Sequence, residues 1–103
     1  MSDNNTAADQ VAVHGRITVE NSAEMRTALG NALRSKPAVL HVNLSDVSYI
    51  DTSGVATLVE AARIARKQGN RMILEGLHDQ PRSLLDVTHL DHLFDIAGQE
   101  TSK

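Results

Sequence analysis

The sequence predicts a single α/β domain with a mostly parallel sheet of four to five strands and helices mainly on one face. The first observation is length, because 103 residues form one domain that buries roughly 60–70% of its unfolded surface. The second is that strand patterns alternate with amphipathic helical patterns, an order that implies right-handed crossovers. The third is that two strands alternate apolar and polar residues, so we expect one sheet face to stay partly solvated.

The first strand and helix are predicted between residues 11 and 36. Apolar and polar residues alternate over residues 11–17, as in a half-buried strand. Asn21 followed by Glu24 is typical of a capping box, and Pro37 ends the helix. The apolar positions of this helix recur at the spacing of one face: Met25, Ala28, Leu29, Ala32 and Leu33.

The second strand and helix surround the most distinctive part of the chain. Residues 39–44 alternate again, with Leu40, Val42 and Leu44 on one face. Residues 45–50 are predicted to be a connection that Val47 and Ile50 anchor in the core. The helix that follows has an apolar face of Val55, Leu58, Val59 and Ala62, and Gly69-Asn70 gives it a left-handed end.

The remaining patterns complete the domain. A third strand is predicted over residues 71–77, a third helix begins at Asp79-Gln80-Pro81, and residues 93–96 form a closing strand. The domain is expected to span residues 11–97. Residues 1–10 are predicted to be a polar tail or weak edge strand, and residues 98–103 a polar tail.

Composition excludes several classes of function. The net charge of −3, the pI near 5.9 and only two aromatic residues argue against a nucleic-acid partner. The absence of cysteine excludes disulfides, thiolate metal sites and thiol catalysis. Neither a leader-like N-terminus nor a long apolar window is present, so we expect a cytoplasmic protein without direct membrane insertion.

The stretch Asp51-Thr52-Ser53-Gly54 places two hydroxyls beside a carboxylate at a predicted helix start. Free N–H groups and the positive helix end favour an added phosphate there, which suggests a charge switch. Gly54 costs a helix roughly 0.5–1 kcal/mol, so we interpret it as permitting close approach to the Ser53 hydroxyl. An ordinary N-cap is the structural alternative.

The order of elements and three sequence stretches resemble the STAS family, the sulfate-transporter and anti-sigma-factor-antagonist domains. The stretches are Gly15-Arg16-Ile17, the run from Asn43 to Gly54 that contains Asn-Leu-Ser-Asp-Val and Asp-Thr-Ser-Gly, and Leu84-Leu85-Asp86-Val87. The resemblance implies a phosphoacceptor at Ser53, with Thr52 as second choice and Asp51 as the neighbouring charge. It further implies a partner-switching cycle with a serine-kinase anti-sigma factor, a histidine-kinase-like ATPase, and a serine phosphatase. Thr18 and Val19 depart from the family pattern, in which an acidic residue is common.

A partner surface is expected around the motif and along the outer face of its helix. This surface comprises Ala56, Thr57, Glu60, Arg63, Ile64 and Lys67. Ile64 is either an exposed anchor or a single surface aliphatic side chain. Glu60 and Arg63 could simply pair with each other across one helical turn.

The sequence has three other interpretations: a hydrolase, a metal site and a transporter subunit. A hydrolase is disfavoured because Gly-x-Ser-x-Gly is absent, and no cofactor is expected. His78, His89, Asp91 and His92 match no zinc spacing, so no metal site is predicted. The remaining alternative is a STAS subunit that binds and supports the ATPase of an ABC-type membrane lipid-transport complex.

Overall fold

The computed structural model describes residues 9–97, which form one parallel sheet with its connecting helices. The elements are β1 (Gln10–Ile17), α1 (Ser22–Arg34), β2 (Val39–Ile50), α2 (Thr52–Gln68), β3 (Arg71–Glu75), α3 (Asp79–Val87), a 3-10 turn (Asp91–Leu93) and β4 (Asp95–Ile96). The strand order is β1-β2-β3-β4 with every neighbouring pair parallel, which confirms the predicted fold class. Of the predicted N-terminal tail or weak edge strand, residues 1–10, the first eight lie outside the described residues, and Gln10 begins β1. The predicted tail at residues 98–103 also lies outside the described residues.

One face of the sheet carries the core. Leu40, Val42 and Leu44 of β2 are almost completely buried, as their alternation predicted. On the opposite face Asn43 is exposed and His41 is half-buried, with its Nδ1 2.6 Å from a carboxylate oxygen of Glu75. Right-handed crossovers between consecutive parallel strands place the helices on a single face. The described part of the chain therefore leaves the other face partly solvated.

The strand β2 is longer than the sequence indicated. Residues 45–50 were predicted to be a connection, but they continue the strand and pair with β1 as far as Ile17 opposite Ile50. Register shifts in the β1–β2 ladder break the regular alternation of side chains over this stretch. Val47 and Ile50 are buried as predicted, although they belong to a strand.

The start of α1 differs from the predicted capping box. The Asn21 side chain makes no cap hydrogen bond. Instead its Oδ1 accepts from the Thr18 N–H at 2.8 Å and its Nδ2 donates to the Arg16 carbonyl at 2.9 Å. Asn21 therefore closes the turn between β1 and α1. The prediction for Ala28 was also wrong, because this residue is exposed whereas the other four apolar positions of α1 are buried.

The remaining boundaries agree closely with expectation. Gly69 ends α2 in the left-handed conformation, with φ of 88°. The strand β3 ends two residues earlier than predicted, where the chain turns at Gly76. The closing strand contains only Asp95–Ile96, after the 3-10 turn. Among the helices within residues 9–97, none has the length and apolar character needed to cross a membrane.

Candidate functional site at the start of the second helix

The end of β2 fixes where the candidate site begins. Ile50 lies beyond the part of β2 that pairs with β3, so that ladder does not satisfy its backbone groups. The Gln80 side chain of α3 takes this place: its Oε1 accepts from the Ile50 N–H and its Nε2 donates to the Ile50 carbonyl, each at 2.9 Å. Gln80 thus holds the residue directly before Asp51.

Asp51 is the N-cap of α2. Its Oδ1 accepts from the N–H groups of Ser53 at 2.9 Å and Gly54 at 3.2 Å, two donors that a helix start leaves without an internal partner. Its Oδ2 accepts from the Val19 N–H at 3.2 Å. The Ser53 hydroxyl also donates to Oδ1, at 2.6 Å, and this bond is the main reason that the pKa of Asp51 is lowered. The motif is therefore an N-cap with an additional hydroxyl donor and a contact to the turn before α1.

The two hydroxyls of the motif have different surroundings. Thr52 is exposed, whereas Ser53 is half-buried and its hydroxyl is oriented by Asp51. The hydroxyl donates its hydrogen to Oδ1, so the lone pairs of its oxygen are directed away from the carboxylate. Ser53 is consequently the better oriented of the two candidate acceptors, and Thr52 the more accessible.

Thr57 does not belong to an outer surface. It is only 3% exposed, and its Oγ1 donates to the Ser53 carbonyl at 3.0 Å, one turn earlier in α2. The predicted place of Thr57 on the outer face of α2 was wrong, because the 3.6-residue period turns this position toward α1 and the core. Its hydroxyl stabilises the first turn of α2 from within.

Gly54 has a different role from the one predicted. A Cβ at this position would lie 2.5 Å from Ile50 Cγ1 and 2.9 Å from Ile17 Cγ2. Gly54 itself is buried, so the missing side chain leaves room for the core and gives no additional access to the Ser53 hydroxyl. The interpretation of Gly54 as an opening toward a partner is therefore corrected: Gly54 lets the start of α2 lie directly on the ends of β1 and β2.

Replacing Ser53 by alanine should raise the pKa of Asp51 toward its ordinary value. The Ser53 hydroxyl makes the largest contribution to lowering that pKa, and alanine removes it. A carboxyl group with a lowered folded-state pKa stabilises the fold above its unfolded pKa, and this contribution disappears as pH falls through the folded value. As pH falls, the Ser53→Ala variant should thus lose this stabilising contribution of Asp51 at a higher pH than the parent.

NMR titration of the Asp51 carboxyl between about pH 2 and 6 measures this shift. Thr52→Ala is the matched control, because Thr52 makes no contribution to the lowered pKa of Asp51. Identical titration curves for the parent and Ser53→Ala would contradict the assigned hydrogen bond.

The outer face of α2 carries the other predicted partner-binding residues. Ala56, Glu60, Arg63, Ile64 and Lys67 are exposed. Glu60 forms an ion pair with Arg26 of α1 at 3.3 Å, so it does not pair with Arg63 as considered from sequence. Ile64 is 38% exposed and borders a small depression of about 60 Å³ between α1 and α2. The exposure of these side chains is compatible with a partner surface, which itself stays a prediction.

A groove of about 470 Å³ between α2 and α3 begins beside Thr52. Its lining comprises Thr52, Val55, Ala56, Val59, Glu60, Arg63, Leu84, Thr88 and Leu90. Three predicted partner-binding residues, Ala56, Glu60 and Arg63, thus share one concave surface with the third helix. Lys67 lies outside this groove, four residues beyond Arg63 on the same helix.

Sequence reasoning missed two residues that shape the site. Gln80 contacts Ile50 and Val19 contacts Asp51 across 30 and 32 residues of chain. Local patterns carry no information about such pairs. Gln80 in the first turn of a helix looks like a solvated residue, and Val19 was noted only as a departure from the family pattern.

The histidines considered as metal ligands have other surroundings. The Nδ1 of His78 lies 2.8 Å from an Asp79 carboxylate oxygen and its Nε2 lies 3.0 Å from the Ser45 carbonyl. The Asp79 carboxylate is the main cause of a raised pKa of His78. His89 and His92 are exposed. Across residues 9–97, no three His, Asp or Glu side chains form a group that could hold a metal ion.

Comparison with known proteins places this geometry in context. A family model described as "Mlab, STAS domain" matches residues 1–96. The chain is similar to the anti-sigma-B factor antagonist of Bacillus subtilis (strain 168), with 33% identity over 90 residues that cover 87% of this chain and 82% of that relative. It is also similar to the intermembrane phospholipid transport system binding protein MlaB of Escherichia coli (strain K12), with 39% identity over 49 residues that cover 48% of this chain and 50% of that relative.

A solved structure shows the same fold. The anti-sigma factor antagonist from Mycobacterium paratuberculosis matches with a TM-score of 0.78 over 86% of this chain and 75% of that chain. The sequence identity in this match is 21%, so the likeness is one of architecture.

Proposed function

The chain belongs to the STAS domain family, and we propose that it is a cytoplasmic partner-switching regulator, an anti-sigma-factor antagonist. In this proposal the unphosphorylated chain binds a serine-kinase anti-sigma factor of the histidine-kinase-like ATPase type. Phosphorylation of Ser53 by that kinase weakens the complex, and a serine phosphatase restores it. The chain carries out no chemistry of its own.

The observation that carries this proposal is the position of the Ser53 hydroxyl. It lies in the first turn of α2, oriented by the Asp51 carboxylate at 2.6 Å and next to the exposed Thr52. Support comes from the similarity to the Bacillus subtilis antagonist, which extends over 87% of this chain. A hydroxyl that is held in one orientation presents a single, reproducible oxygen to a kinase.

A phosphate at Ser53 would change the charge of the site more than its structure. It carries about −1.5 to −2 at neutral pH, and the positive end of a helix favours it. The N–H groups of Ser53 and Gly54 are already bonded to Asp51, so the phosphate competes with that carboxylate for the same donors. The added charge should therefore remain largely at the surface, where a partner must contact it.

The proposed partner surface surrounds this charge. It consists of the exposed residues Ala56, Glu60, Arg63, Ile64 and Lys67 together with the environment of Ser53, namely Asp51, Thr52 and Gly54. Gly54 is buried, so this residue contributes to the surface through the position of its backbone. The groove between α2 and α3 gives this surface a concave part with a mainly aliphatic lining.

Incubation with ATP and the candidate kinase should label the parent chain, and Ser53→Ala should abolish the labelling. The candidate kinase is to be sought among histidine-kinase-like ATPases whose genes are found near the gene for this chain. Thr52→Ala is the matched control. It removes the neighbouring hydroxyl of Thr52 but leaves the geometry of Ser53 and Asp51 intact, so this variant should still be labelled. Labelling that persists in Ser53→Ala and disappears in Thr52→Ala would move the acceptor to Thr52. Persistence in both variants would remove the proposed site.

A second function has its own supporting observation. The matching family model is the MlaB type, and the similarity to the Escherichia coli protein reaches 39% identity over about half of each chain. As a subunit of a lipid-transport complex, the chain would bind the transporter ATPase and support its assembly, with Thr52 and Ser53 as interface residues. Co-purification of the tagged chain from its native cells separates the two functions, since one predicts a kinase and the other a transporter ATPase with its permease.

A further inference from the structure

The Asp51 carboxylate joins two segments that are far apart in the sequence. Its Oδ1 accepts three hydrogen bonds from Ser53 and Gly54 at the start of α2. Its Oδ2 accepts one from the N–H of Val19, in the turn between β1 and α1. A single planar group therefore contacts both the candidate phosphoacceptor and a turn that precedes it by more than thirty residues.

The turn is held in different ways along its length. The Asn21 side chain ties its base to the Thr18 N–H and the Arg16 carbonyl. At the corner, the Val19 N–H is bonded to Asp51 across the gap between the two segments. The Val19 side chain is 73% exposed, more than any other large hydrophobic residue within residues 9–97. Loss of the Asp51 contact should therefore move this corner and its apolar side chain while the base of the turn stays in place.

We propose that Asp51 is a positioning residue that couples the state of Ser53 to the turn between β1 and α1. A phosphate on the Ser53 oxygen removes the hydroxyl donor and places a dianion next to Oδ1. Because both carboxylate oxygens belong to one rigid plane, rotation of Oδ1 away from the phosphate also moves Oδ2 and breaks its bond to the Val19 N–H. The inference rests on the proposed phosphorylation of Ser53 and adds a second, distant part of the surface that changes with it.

This coupling explains a combination of features that an ordinary N-cap does not require. Capping of α2 needs only one acceptor oxygen, which Oδ1 supplies. The second oxygen is used instead to hold the corner that presents Val19. A partner that contacts both Thr52 and Val19 would thus detect phosphorylation twice, through the charge itself and through the displaced apolar side chain.

The Asp51→Asn variant separates the two halves of the contact. Asparagine keeps one acceptor for the three donors of α2, and it is itself a good N-cap. Its amide group cannot accept from the Val19 N–H. Hydrogen exchange measured by NMR should therefore accelerate roughly tenfold at the Val19 amide, while the Ser53 and Gly54 amides remain protected. Faster exchange at all three amides would indicate a merely structural cap and would overturn the assignment.

Phosphoserine incorporated at position 53 during translation tests the coupling without any kinase. The Val19 amide should show the same accelerated exchange and altered chemical shift as in Asp51→Asn. Ser53→Ala, which removes the hydroxyl without adding charge, should leave Val19 protected. Phosphoserine at the exposed position 83 of α3 is the matched control for added charge and should also leave Val19 unchanged.

Failure of this inference and failure of the proposed function give different results. An unchanged Val19 amide in the chain with phosphoserine at position 53 overturns the coupling, whatever a kinase does. Absence of enzymatic labelling at Ser53 removes the proposed function, whereas the exchange pattern of Asp51→Asn and of the phosphoserine chain would still establish the contact.

Discussion

Replacement of Gly54 by alanine is expected to destabilise the fold by about 1–3 kcal/mol, the usual cost of one additional carbon in a well-packed core. The new Cβ would lie 2.5 Å from Ile50 Cγ1 and 2.9 Å from Ile17 Cγ2, closer than carbon atoms can pack. Ile50 and Ile17 are 2% and 3% exposed, so neither can move into solvent without opening the core. The better helix propensity of alanine, worth up to about 1 kcal/mol, opposes this cost only in part. Urea unfolding measures the difference.

The same substitution at Gly30 is the matched control. Gly30 lies inside α1, and a Cβ there would have no neighbour within 4 Å. Gly30→Ala should therefore show the propensity gain alone and stabilise the fold by about 0.5–1 kcal/mol. The melting temperatures of the two variants should therefore shift in opposite directions. In a domain of this size each kcal/mol corresponds to a shift of roughly 4–8 °C. Stabilisation by both would contradict the steric role assigned to Gly54.

This steric role changes how the motif is understood. The close contact of Gly54 with Ile17 and Ile50 sets the distance between α2 and the strand ends. Asp51 lies at the same junction, where its N–H donates to the Ile17 carbonyl at 3.0 Å. The Ser53 hydroxyl is thus positioned by the core and by Asp51 together. Access to the Ser53 hydroxyl follows from the half-buried position of Ser53 in the first turn of α2.

Features that depend on residues close together in sequence were predictable. The alternation around Leu40 and Val42, the left-handed end at Gly69 and the cap at Asp51 each follow from a few neighbouring residues. The parallel order follows from the regular succession of strands and helices. These features suffice to place the Ser53 hydroxyl at a helix start beside a carboxylate.

Features that depend on pairing across the fold were not predictable. Leu44, Val47 and Ile50 recur at every third residue, which does not indicate a strand, because register shifts against β1 interrupt the two-residue alternation. Asn21 has the residue type of a cap, but the turn before α1 competes for its side chain. The contacts of Gln80 and Val19 with the motif require the complete topology.

The affinity of the Ser53→Asp variant for its partner is expected to be at least roughly 100-fold lower than that of the parent, while the variant remains folded. Within a complex, a buried charge without a counterpart costs about 3–5 kcal/mol, and each 1.4 kcal/mol is a factor of ten. In the free chain, repulsion between the new carboxylate and Asp51 opposes folding, whereas the positive end of α2 favours the added charge, so the two effects nearly cancel. Calorimetric titration with the purified partner kinase, together with thermal unfolding, measures both quantities.

Ser53→Ala is the control that isolates the charge, because both variants lose the hydrogen bond to Asp51 at 2.6 Å. The two variants should therefore unfold within about 1 kcal/mol of each other, since repulsion and the helix end nearly cancel. Only the aspartate variant should lose the partner. A melting temperature many degrees below that of Ser53→Ala would mean that the charge acts by unfolding the start of α2. Equal losses of affinity in both variants would mean that the partner recognises the hydroxyl itself, and the charge switch would then be wrong.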